Sequence, residues 1–473
     1  MPAPELASTA TVTVRARPQA PTAALELRGE LPHWSVGHAM SPAGDGFELT
    51  LPLAPGVYAV KAQAPGGAWW IDPAWRTMHD GEVENGAIVV GGTDEPVLHA
   101  PAAPWLERRD DGVVIVRAGL RRSARSRGLT VRTDDGAGTV SRRMIATSAD
   151  ASHVYFEARL PGAGRRLHYA FGLDDGRTVA APGGTWLGVA LADLPAPPPA
   201  WWRDAVVYTV FVDRFRKGGM RGAWPADLDT ARVLGSAERA GGDLRGVVEA
   251  LPYLVDLGVT VVHLTPLCVA PSAHRYDAVD PRAVDPALGG EAAFARLCEA
   301  AHERGLRVIC DVAATHVHRD FAPFQDVLAH GPASTYWPWF SVDRWPCSEG
   351  PDPGYAHYQK GQWQEPLLRT GEPAVADWLV DTFASWVRRG ADGVRVDAAA
   401  DLPLPLVARV RQAVRAVKSD AIVFGEVVPA CLDRFAPAAV DAATDFAARE
   451  VMVAWLVGEA TADDVAAVWT RQR

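Results

Sequence analysis

The sequence lacks the cysteine content of a disulfide-stabilised protein, since it has five cysteines among 473 residues and no C-x-x-C pair. A disulfide framework or a zinc ribbon is therefore not expected, and a reducing, cytoplasmic environment fits best. Residues 1–13 lack a basic segment followed by an apolar core, so no secretory signal is predicted. The longest uncharged run, residues 257–274, is interrupted by Pro266 and Pro271 and does not predict a membrane span.

An excess of basic residues is also missing, because 47 Lys and Arg residues face 57 Asp and Glu residues and leave a net charge of −10. Nucleic acids and anionic membranes attract basic surfaces, so neither is predicted as a partner. The hydrophobic content of 48% and the charged content of 22% are typical of a folded globular chain, which excludes disorder as its main state. At roughly 150 residues per domain, the length predicts about three domains.

Tryptophan, in contrast, is abundant, with 17 residues. Its flat apolar face and polar N–H suit the apolar faces and polar rims of sugar rings. Any single tryptophan is more often a core residue than a sugar platform, so the count indicates a carbohydrate surface without locating it.

The first 190 residues show the period-two hydrophobicity of antiparallel strands, separated by Gly, Pro and Asp. Examples are T-V-T-V-R-A-R at 11–17 and F-E-L-T-L-P-L at 47–53. We predict one antiparallel β-sandwich in residues 1–100 and a second in residues 101–196. The A-P-P-P-A run at 196–200 predicts a stiff linker.

From residue 200 to residue 473, short β-branched runs alternate with longer amphipathic ones. This pattern predicts a parallel sheet with right-handed crossovers, as in a (β/α)8 TIM barrel. The stretch 317–370 is too long for an ordinary loop and predicts a small inserted domain after strand 3. The predicted strands are 206–212, 259–265, 306–312, 393–396, 421–425 and 440–446, and the predicted helices are 243–257, 291–304, 375–389, 404–417 and 461–473.

Acidic side chains follow two neighbouring predicted strands, where active sites of such barrels lie. Arg395 and Asp397 are two residues apart and share one face, while Glu426 ends the next strand. We expect Arg395 to keep Asp397 ionised as a nucleophile, and Glu426 to keep a raised pKa as a general acid. A carboxyl separation of about 5–5.5 Å is the one expected for glycoside cleavage with retention. A single acid at a strand end more often caps the backbone or forms a structural ion pair. Polar residues at several strand ends together favour a catalytic site.

These motifs resemble the catalytic barrel of the alpha-amylase family of glycoside hydrolases over about residues 201–458, and most of all the cyclomaltodextrinase and neopullulanase group. The stretches that carry the resemblance are V-Y-T-V-F-V-D-R-F at 207–215, G-D-L-R-G at 242–246, Y-L-V-D-L-G-V at 253–259, H-R-Y-D at 274–277, D-V-A-A-T-H at 311–316, F-Q-D-V-L at 324–328, H-G at 330–331, G-V-R-V-D at 393–397 and G-E at 425–426.

The resemblance implies a retaining hydrolase or transglycosylase of α-1,4-linked glucans, such as maltooligosaccharides, cyclodextrins, starch or glycogen. In that scheme Asp397 forms a covalent glycosyl intermediate and Glu426 is the acid and base. Tyr276 would stack on the sugar at the cleaved position, and His316 with Arg395 would hold that sugar and the nucleophile.

From the same resemblance, Asp277 would brace the site, and His274 of the H-R-Y-D motif is predicted to contact substrate. No cofactor is implied as required. Calcium is used by many relatives, but the loop after Asp213 has few carboxylates before Asp227 and Asp229, so a calcium site there is weakly supported.

In the first sandwich, Trp34, G-D-G-F at 44–47, L-A-P-G-V-Y at 53–58 and W-W-I-D-P at 69–73 resemble glycogen- and starch-binding modules. Trp34 and either Trp69 or Trp70 would be stacking platforms there, or equally would fill the sandwich core. The second sandwich weakly resembles the N-terminal domain of the cyclomaltodextrinase group. A homodimer formed through the N-terminal sandwich is common in that group, and no residue pattern here tests it.

The sequence departs from the family at Thr315, where an Asn is usual, at Val394, where a Trp is usual, and at 427–428, where Ile-Trp is usual. The family's third acid, in a His-Asp pair on strand seven, has no counterpart, because the last histidine is His357. Two explanations stay open. The chain is part of a longer gene product, apparently truncated before the seventh strand, or it is a catalytically impaired glucan-binding protein.

Overall fold

The computed structural model describes residues 10–471, with gaps at 19–20, 32–36, 65–66, 68, 81–82, 110–111, 135–137, 162–165, 183, 185, 192–193, 195, 220–237, 360 and 429–438. The chain forms two compact units, of which one contains Met1–Pro197 and the other contains Pro198–Pro429 with Val440–Arg473. Within the described ranges, no helix has the length and apolar character needed to cross a membrane.

The first unit opens with antiparallel strands paired in the order β1-β4-β3-β2-β5-β8-β7, with β6 paired to β5. Alternate residues of β1 and β2 are buried, so the period-two pattern places one face of each strand in a core with Leu27, Phe47 and Val60. The strands are β1 (Ala10–Ala16), β2 (Leu25–Gly29), β3 (His38–Ala43), β4 (Gly46–Leu53), β5 (Gly56–Gln63), β6 (Trp69–Trp70), β7 (Arg76–Asp80) and β8 (Val83–Val90).

Two further antiparallel sheets follow in the same unit, with the orders β10-β11-β15-β14 and β13-β12-β16-β17; β9 pairs with β11, and β18 pairs with β16. Their inner faces share one apolar core, in which Val116 and Phe156 of one sheet join Val131 and Phe171 of the other. The strands are β9 (Val97–Leu98), β10 (Leu106–Arg108), β11 (Val113–Arg121), β12 (Leu129–Asp134), β13 (Thr139–Arg143), β14 (Ile145–Ala149), β15 (His153–Pro161), β16 (Arg166–Leu173), β17 (Thr178–Val179) and β18 (Leu187–Ala190).

The predicted segments 1–100 and 101–196 therefore lie in one compact unit. A small apolar cluster of Ala87, Leu98 and Trp105 packs between the first set of strands and the second. Antiparallel sheets at the N-terminal end were predicted from the sequence, and the structure contains them.

The second unit contains six parallel strands in the order β19-β20-β23-β24-β25-β26 and an antiparallel pair, β21 with β22. Its strands are β19 (Val207–Val210), β20 (Val261–Leu264), β21 (Cys268–Val269), β22 (Asp280–Val284), β23 (Arg307–Val312), β24 (Gly393–Val396), β25 (Ile422–Gly425) and β26 (Ala442–Ala443). Its helices are α1 (Val212–Phe215), α2 (Leu244–Asp256), α3 (Gly290–His302), α4 (Ala322–His330), α5 (Pro373–Arg388), α6 (Leu404–Val417), α7 (Phe446–Leu456) and α8 (Ala462–Arg471).

The central parallel strands are buried along their length, as β20 and β24 illustrate. Burial along the whole strand is typical of parallel strands that are covered on both faces. Trp201 and Trp202 pack against an apolar cluster of Val261, Ile309 and Ile422, so two of the tryptophans fill space under the sheet.

The predicted sixth strand at 440–446 is only partly right, because the parallel pairing is confined to β26, and α7 begins already at Phe446. The side chain of Asp445 accepts a hydrogen bond from the N–H of Ala448 at 2.8 Å, which caps α7. The six parallel strands agree with a partial barrel, while a complete eight-stranded TIM barrel is not seen in the described residues.

Residues 317–370 leave β23 and return beside it. The N–H of Val317 donates to Pro366 O at 3.2 Å, and the N–H of Leu368 donates to Thr315 O at 3.0 Å. Between these contacts the stretch contains α4 and isolated β-bridges. The predicted inserted domain stays a prediction, but this return places its last residues at the end of β23.

Candidate active site

The guanidinium of Arg395 joins three carboxylates at the carboxyl edge of the parallel sheet. Its Nη1 donates to both oxygens of Asp311 at 2.9 Å and to Oδ1 of Asp397 at 2.7 Å. Its Nη2 lies 2.8 Å from Oε2 of Glu426. The Asp311 side chain is 1% exposed and that of Arg395 is 11% exposed, so these charges interact in a medium that screens them little.

Strand register explains why these residues meet. Asp311 of β23 lies directly opposite Arg395 of β24. The N–H of Asp397 donates to Val312 O at 3.1 Å, and the N–H of Glu426 donates to Val396 O at 2.9 Å, so both acids continue the parallel ladder by one residue. Parallel strands end at one edge, which brings side chains from three strands together.

The carboxyl groups of Asp397 and Glu426 lie on the same side of the sheet and share one partner. Because the terminal nitrogens of a rigid guanidinium are only about 2.3 Å apart, the contacted oxygens of the two acids lie within about 8 Å of each other. A second donor, the N–H of Ala398, lies 3.1 Å from Oε2 of Glu426. This bound admits a sugar linkage between the two acids.

The expectation that Arg395 keeps Asp397 ionised stays a prediction, because opposing effects act on this carboxyl. Burial and the neighbouring carboxylate of Asp311 raise the pKa of Asp397 to about 7, although Arg395 acts in the opposite direction. The sequence suggested the Arg395–Asp397 contact but not that Asp311 would occupy the same guanidinium, so the repulsion between the two acids was missed.

Tyr276 reaches the same cluster, because its hydroxyl donates to Oδ2 of Asp311 at 2.8 Å. Burial and Asp311 raise the pKa of Tyr276, which keeps the phenol neutral. Nε2 of His263 lies 3.5 Å from the same Asp311 oxygen, and its Nδ1 lies 3.0 Å from Oγ1 of Thr209. Asp311 and His263 lie in the predicted strands 306–312 and 259–265, but only the packing gives them roles.

His274 and Asp277 flank Tyr276 in the H-R-Y-D motif. The rings of His274 and Tyr276 stack with centroids 5.9 Å apart. Asp277 accepts a hydrogen bond from the hydroxyl of Ser272. Nδ1 of His274 lies 3.9 Å from Oδ1 of Asp277. Arg275 points away and pairs with Asp285 at 3.0 Å, aided by its positive φ of 62°.

His316 lies beside this group. Its ring stacks on Tyr358 with centroids 4.2 Å apart and an interplanar angle of 18°. Burial and His274 lower the pKa of His316 to about 4, so the ring is neutral at pH 7. Thr315, which stands where the family has an Asn, has its hydroxyl oxygen 2.9 Å from Nδ1 of His316 and so still supplies a polar partner.

Glu365 also lies beside His316, and the sequence did not indicate it as a site residue. Its Oε2 lies 3.9 Å from Nε2 of His316, and its side chain is 11% exposed. Burial and Asp277 raise the pKa of Glu365 to about 7. No motif marks it, because its position depends on the return of the 317–370 stretch to β23.

The tryptophans predicted to bind glucan lie in the first unit. Trp34 falls outside the described residues. Trp69 is 43% exposed, and the guanidinium carbon of Arg28 lies 5.8 Å from the centre of its ring. Trp70 packs against the sandwich core, and its buried Nε1 has no hydrogen-bond partner among the described residues. Trp69 is therefore partly exposed to solvent, whereas Trp70 is a packing residue.

Metal-binding side chains do not cluster in the described part of the chain, where no group of three or more His, Cys, Asp or Glu residues could hold an ion. The carboxylate of Asp213 already accepts hydrogen bonds from the N–H groups of Ala240 at 2.7 Å and Gly241 at 3.3 Å. Asp227 and Asp229 lie outside the described residues.

The ends of neighbouring parallel strands carry two acids with an Arg between them. This arrangement defines a class of barrel-type protein whose site contains a pair of carboxylates. The family model described as "Alpha amylase, catalytic domain" matches residues 209–473, more than half of the chain. The chain belongs to the alpha-amylase family, which confirms the resemblance.

Curated relatives have the names expected for the cyclomaltodextrinase and neopullulanase group. The chain is 34% identical over 234 residues to "Cyclomaltodextrinase" of Thermoanaerobacter pseudethanolicus, which covers 48% of this chain and 40% of that protein. It is 35% identical over 231 residues to "Neopullulanase 2" of Thermoactinomyces vulgaris, with the same two coverages. It is 33% identical over 237 residues to "Intracellular maltogenic amylase" of Bacillus subtilis, covering 48% and 39%. The chain thus matches less than half the length of these relatives.

Solved structures agree on the fold. A structure titled "Cyclomaltodextrinase" aligns with a TM-score of 0.62 and 26% identity, covering 78% of this chain and 67% of that chain. The maltogenic amylase from S. marinus aligns with a TM-score of 0.63 and 21% identity, covering 98% of this chain and 72% of that one. The second likeness spans the N-terminal sheets as well as the parallel strands.

Proposed function

We propose that this chain carries the catalytic pair of a retaining glycosidase that acts on α-1,4-linked glucans. The observation that carries the proposal is the contact of one guanidinium, that of Arg395, with both Asp397 and Glu426. Two acids that can flank a single glycosidic bond, at the strand ends of this family's sheet, suit cleavage of that bond.

In the first step, a carboxylate oxygen of Asp397 attacks the anomeric carbon, and the bond from that carbon to the glycosidic oxygen breaks. Glu426 gives its proton to the departing oxygen. In the second step, Glu426 takes a proton from water or from an acceptor sugar hydroxyl, whose oxygen attacks the anomeric carbon and displaces Asp397. Hydrolysis and transfer differ only in that acceptor.

Nη2 of Arg395 contacts Oε2 of Glu426 and leaves Oε1 for the proton that the general acid delivers. A protonated carboxyl keeps acceptor capacity on its other oxygen, so Oε2 can stay with the guanidinium during the cycle.

The substrate class is proposed from the names of the relatives, which refer to cyclomaltodextrin, pullulan and maltose-forming activities. Maltooligosaccharides and cyclodextrins are the substrates to test first. We place the protein in the cytoplasm, supported by the relative named intracellular and by the free cysteines Cys268, Cys298, Cys310 and Cys347. The homodimer common in the resembled group stays a prediction, which sedimentation velocity checks.

The domain organisation is part of the proposal. Residues 1–100 are proposed as a glycogen- or starch-binding module, residues 101–196 as a second sandwich, and 200–473 as the catalytic part, with 317–370 as its inserted subdomain. The exposed ring of Trp69 supports the first assignment.

The decisive experiment measures release of reducing sugar from maltooligosaccharides and β-cyclodextrin, by the 473-residue chain and by the product of the reading frame continued to its stop codon. Glu426→Gln and Asp397→Asn are each expected to reduce kcat by at least about 10³-fold, because each removes one half of the acid and nucleophile pair. Glu349→Gln, at an exposed glutamate, is the matched control and should leave kcat unchanged. Glucan binding without turnover in both chains would favour the non-catalytic alternative, and turnover that survives Glu426→Gln would reject the proposed mechanism.

A further inference from the structure

Among the described residues, no group donates a hydrogen bond to the carboxyl of Glu365. Its side chain is 11% exposed and lies at the candidate site, with Oε2 3.9 Å from Nε2 of His316, beyond hydrogen-bond distance. A largely buried carboxyl that accepts no hydrogen bond from the protein can accept one from water or from a bound ligand.

The surroundings of Glu365 do not supply that donor. Asp277 carries like charge and raises the pKa of Glu365 to about 7. His316 is held neutral by burial and by His274, and its Nδ1 is already engaged by Thr315. The free nitrogen of His316 and the free oxygen of Glu365 therefore face each other across a gap.

That gap matches a hydroxyl group. An oxygen at about 2.8 Å from each of two atoms that are 3.9 Å apart forms an ordinary triangle of hydrogen bonds. A sugar hydroxyl both accepts and donates, so it can accept from the N–H of His316 and donate its own proton to the carboxylate of Glu365.

The pair also lies beside the proposed catalytic acids. The ring of His316 stacks on Tyr358, and the charges of Asp397 and Glu426 act on the Tyr358 phenol. Backbone hydrogen bonds from Val317 and Leu368 hold the end of the 317–370 stretch against β23, and the N–H of Tyr358 donates to Glu365 O at 2.8 Å. Glu365 is thereby positioned by backbone contacts and not by its own side chain, which leaves the carboxyl available.

We propose that Glu365 and His316 together bind one hydroxyl of the glucan, and that Glu365 is a specificity-determining residue of this site. The inference rests on the proposed function and adds to it a residue that the family motifs do not name. The ionised carboxyl accepts the hydroxyl proton, so glucan binding strengthens as the pH rises and Glu365 loses its proton.

The test uses the 473-residue chain with Asp397→Asn, which blocks turnover and removes the titration of Asp397. Calorimetric titration with maltotriose is performed at pH 5.5 and pH 8.5, with and without Glu365→Gln. At pH 8.5 the Glu365→Gln substitution is expected to weaken binding about ten-fold, since it removes a hydrogen bond to a charged group. At pH 5.5 the two chains are expected to bind within about two-fold of each other, because a protonated carboxyl and an amide have similar hydrogen-bonding capacity. Glu349→Gln in the same background is the control and should change neither value.

Monodeoxy maltotrioses identify the hydroxyl. Removal of the bound hydroxyl is expected to weaken binding to the Asp397→Asn chain about ten-fold and to leave binding to the Asp397→Asn/Glu365→Gln chain unchanged. If Glu365→Gln weakens maltotriose binding equally at both pH values, the role of Glu365 is merely structural and the inference is overturned. The inference is also overturned if every deoxy sugar loses the same affinity in both chains. Maltotriose binding that Glu365→Gln does not alter overturns this inference alone. A folded Asp397→Asn chain that binds no maltotriose at either pH overturns the proposed function with it.

Discussion

At the scale of single residues, Arg395 decides the electrostatics of the site because it is the common partner of Asp311, Asp397 and Glu426. Three carboxylates held this close repel one another, and the planar guanidinium can contact all three at once. A lysine ammonium is a point charge on a flexible stem and cannot reproduce that fork.

Arg395→Lys is therefore expected to lower kcat/KM by about 100-fold, as at least one charge-assisted hydrogen bond is lost. The measurement is initial-rate kinetics on maltooligosaccharides. Arg409→Lys, at an exposed residue paired with Asp377, is the matched control and should have no effect. Equal activity of Arg395→Lys and the unmodified chain would contradict the role of the guanidinium.

The raised pKa of Asp397 predicts a pH dependence. The nucleophile must be ionised, so kcat/KM is expected to fall as the pH drops through about 7. Asp311→Asn removes the like charge next to Asp397. The pH at which kcat/KM falls should therefore be lower in this variant, whatever the substitution does to the maximal rate. Asp352→Asn, at an exposed acid, serves as the control. If kcat/KM of Asp311→Asn falls at the same pH as that of the unmodified chain, the prediction is contradicted.

Asp397 and Glu365 affect stability with a defined sign. Asp397 and Glu365 both have folded-state pKa values raised to about 7, so the folded chain holds more protons than the unfolded chain between about pH 4 and pH 7. Their contribution to stability is present at low pH and is lost as the pH rises through about 7. In the double variant Asp397→Asn/Glu365→Gln the difference in Tm between pH 5 and pH 8 should shrink, and thermal unfolding followed by circular dichroism checks it; an unchanged difference would refute the assignment.

At the scale of elements, the approach of β24 to β25 positions Asp397 and Glu426. A Cβ built on Gly393 would lie 2.5 Å from Cγ2 of Ile422 and closer still to its carbonyl oxygen. Since backbone cannot yield there without separating the strands, a glycine is required at this position.

Gly393→Ala is expected to lower the free energy of unfolding by about 1–3 kcal/mol. It should also lower kcat, because the ladder that carries both acids is displaced. Urea unfolding and initial rates measure the two effects. Gly138→Ala, where an added Cβ meets nothing within 4 Å, is the control; similar stability of the two variants would contradict the strand-spacing argument.

The elements also differ in how far local sequence determined them. The helix predicted at 404–417 coincides with α6, and the strand at 393–396 coincides with β24. These segments have a strong local period and clear ends. The 440–446 segment was predicted as one strand, but β26 contains only Ala442–Ala443 and α7 already begins at Phe446, and such short runs carry no decisive period.

At the scale of the whole molecule, the chain combines a β-rich first unit with a second unit that carries the candidate site. Glucan binding by the first unit is independent of catalysis if Trp69 is a stacking platform. Its exposed ring and the neighbouring Arg28 fit such a role, while Trp70 packs inward.

Trp69→Ala is expected to reduce retention of the full chain on amylose at least about three-fold without changing Tm, since an exposed ring contributes little to folding. Trp70→Ala should instead lower stability by about 1–3 kcal/mol through lost packing. Affinity electrophoresis and thermal unfolding separate the two outcomes. Trp455→Ala, at an exposed tryptophan of the second unit, is the control, and undiminished retention of Trp69→Ala would reject the platform.

The sequence by itself determined the antiparallel and parallel parts of the chain, the family, and the strand-end positions of Arg395, Asp397 and Glu426. These follow from local periodicity and from motifs that are contiguous along the chain. Only the tertiary structure decided that Asp311 shares the guanidinium of Arg395, that Asp397 is consequently harder to ionise, and that Glu365 faces His316. Those properties arise from burial and from charges brought together across dozens of residues, and no local pattern encodes a distance of that kind.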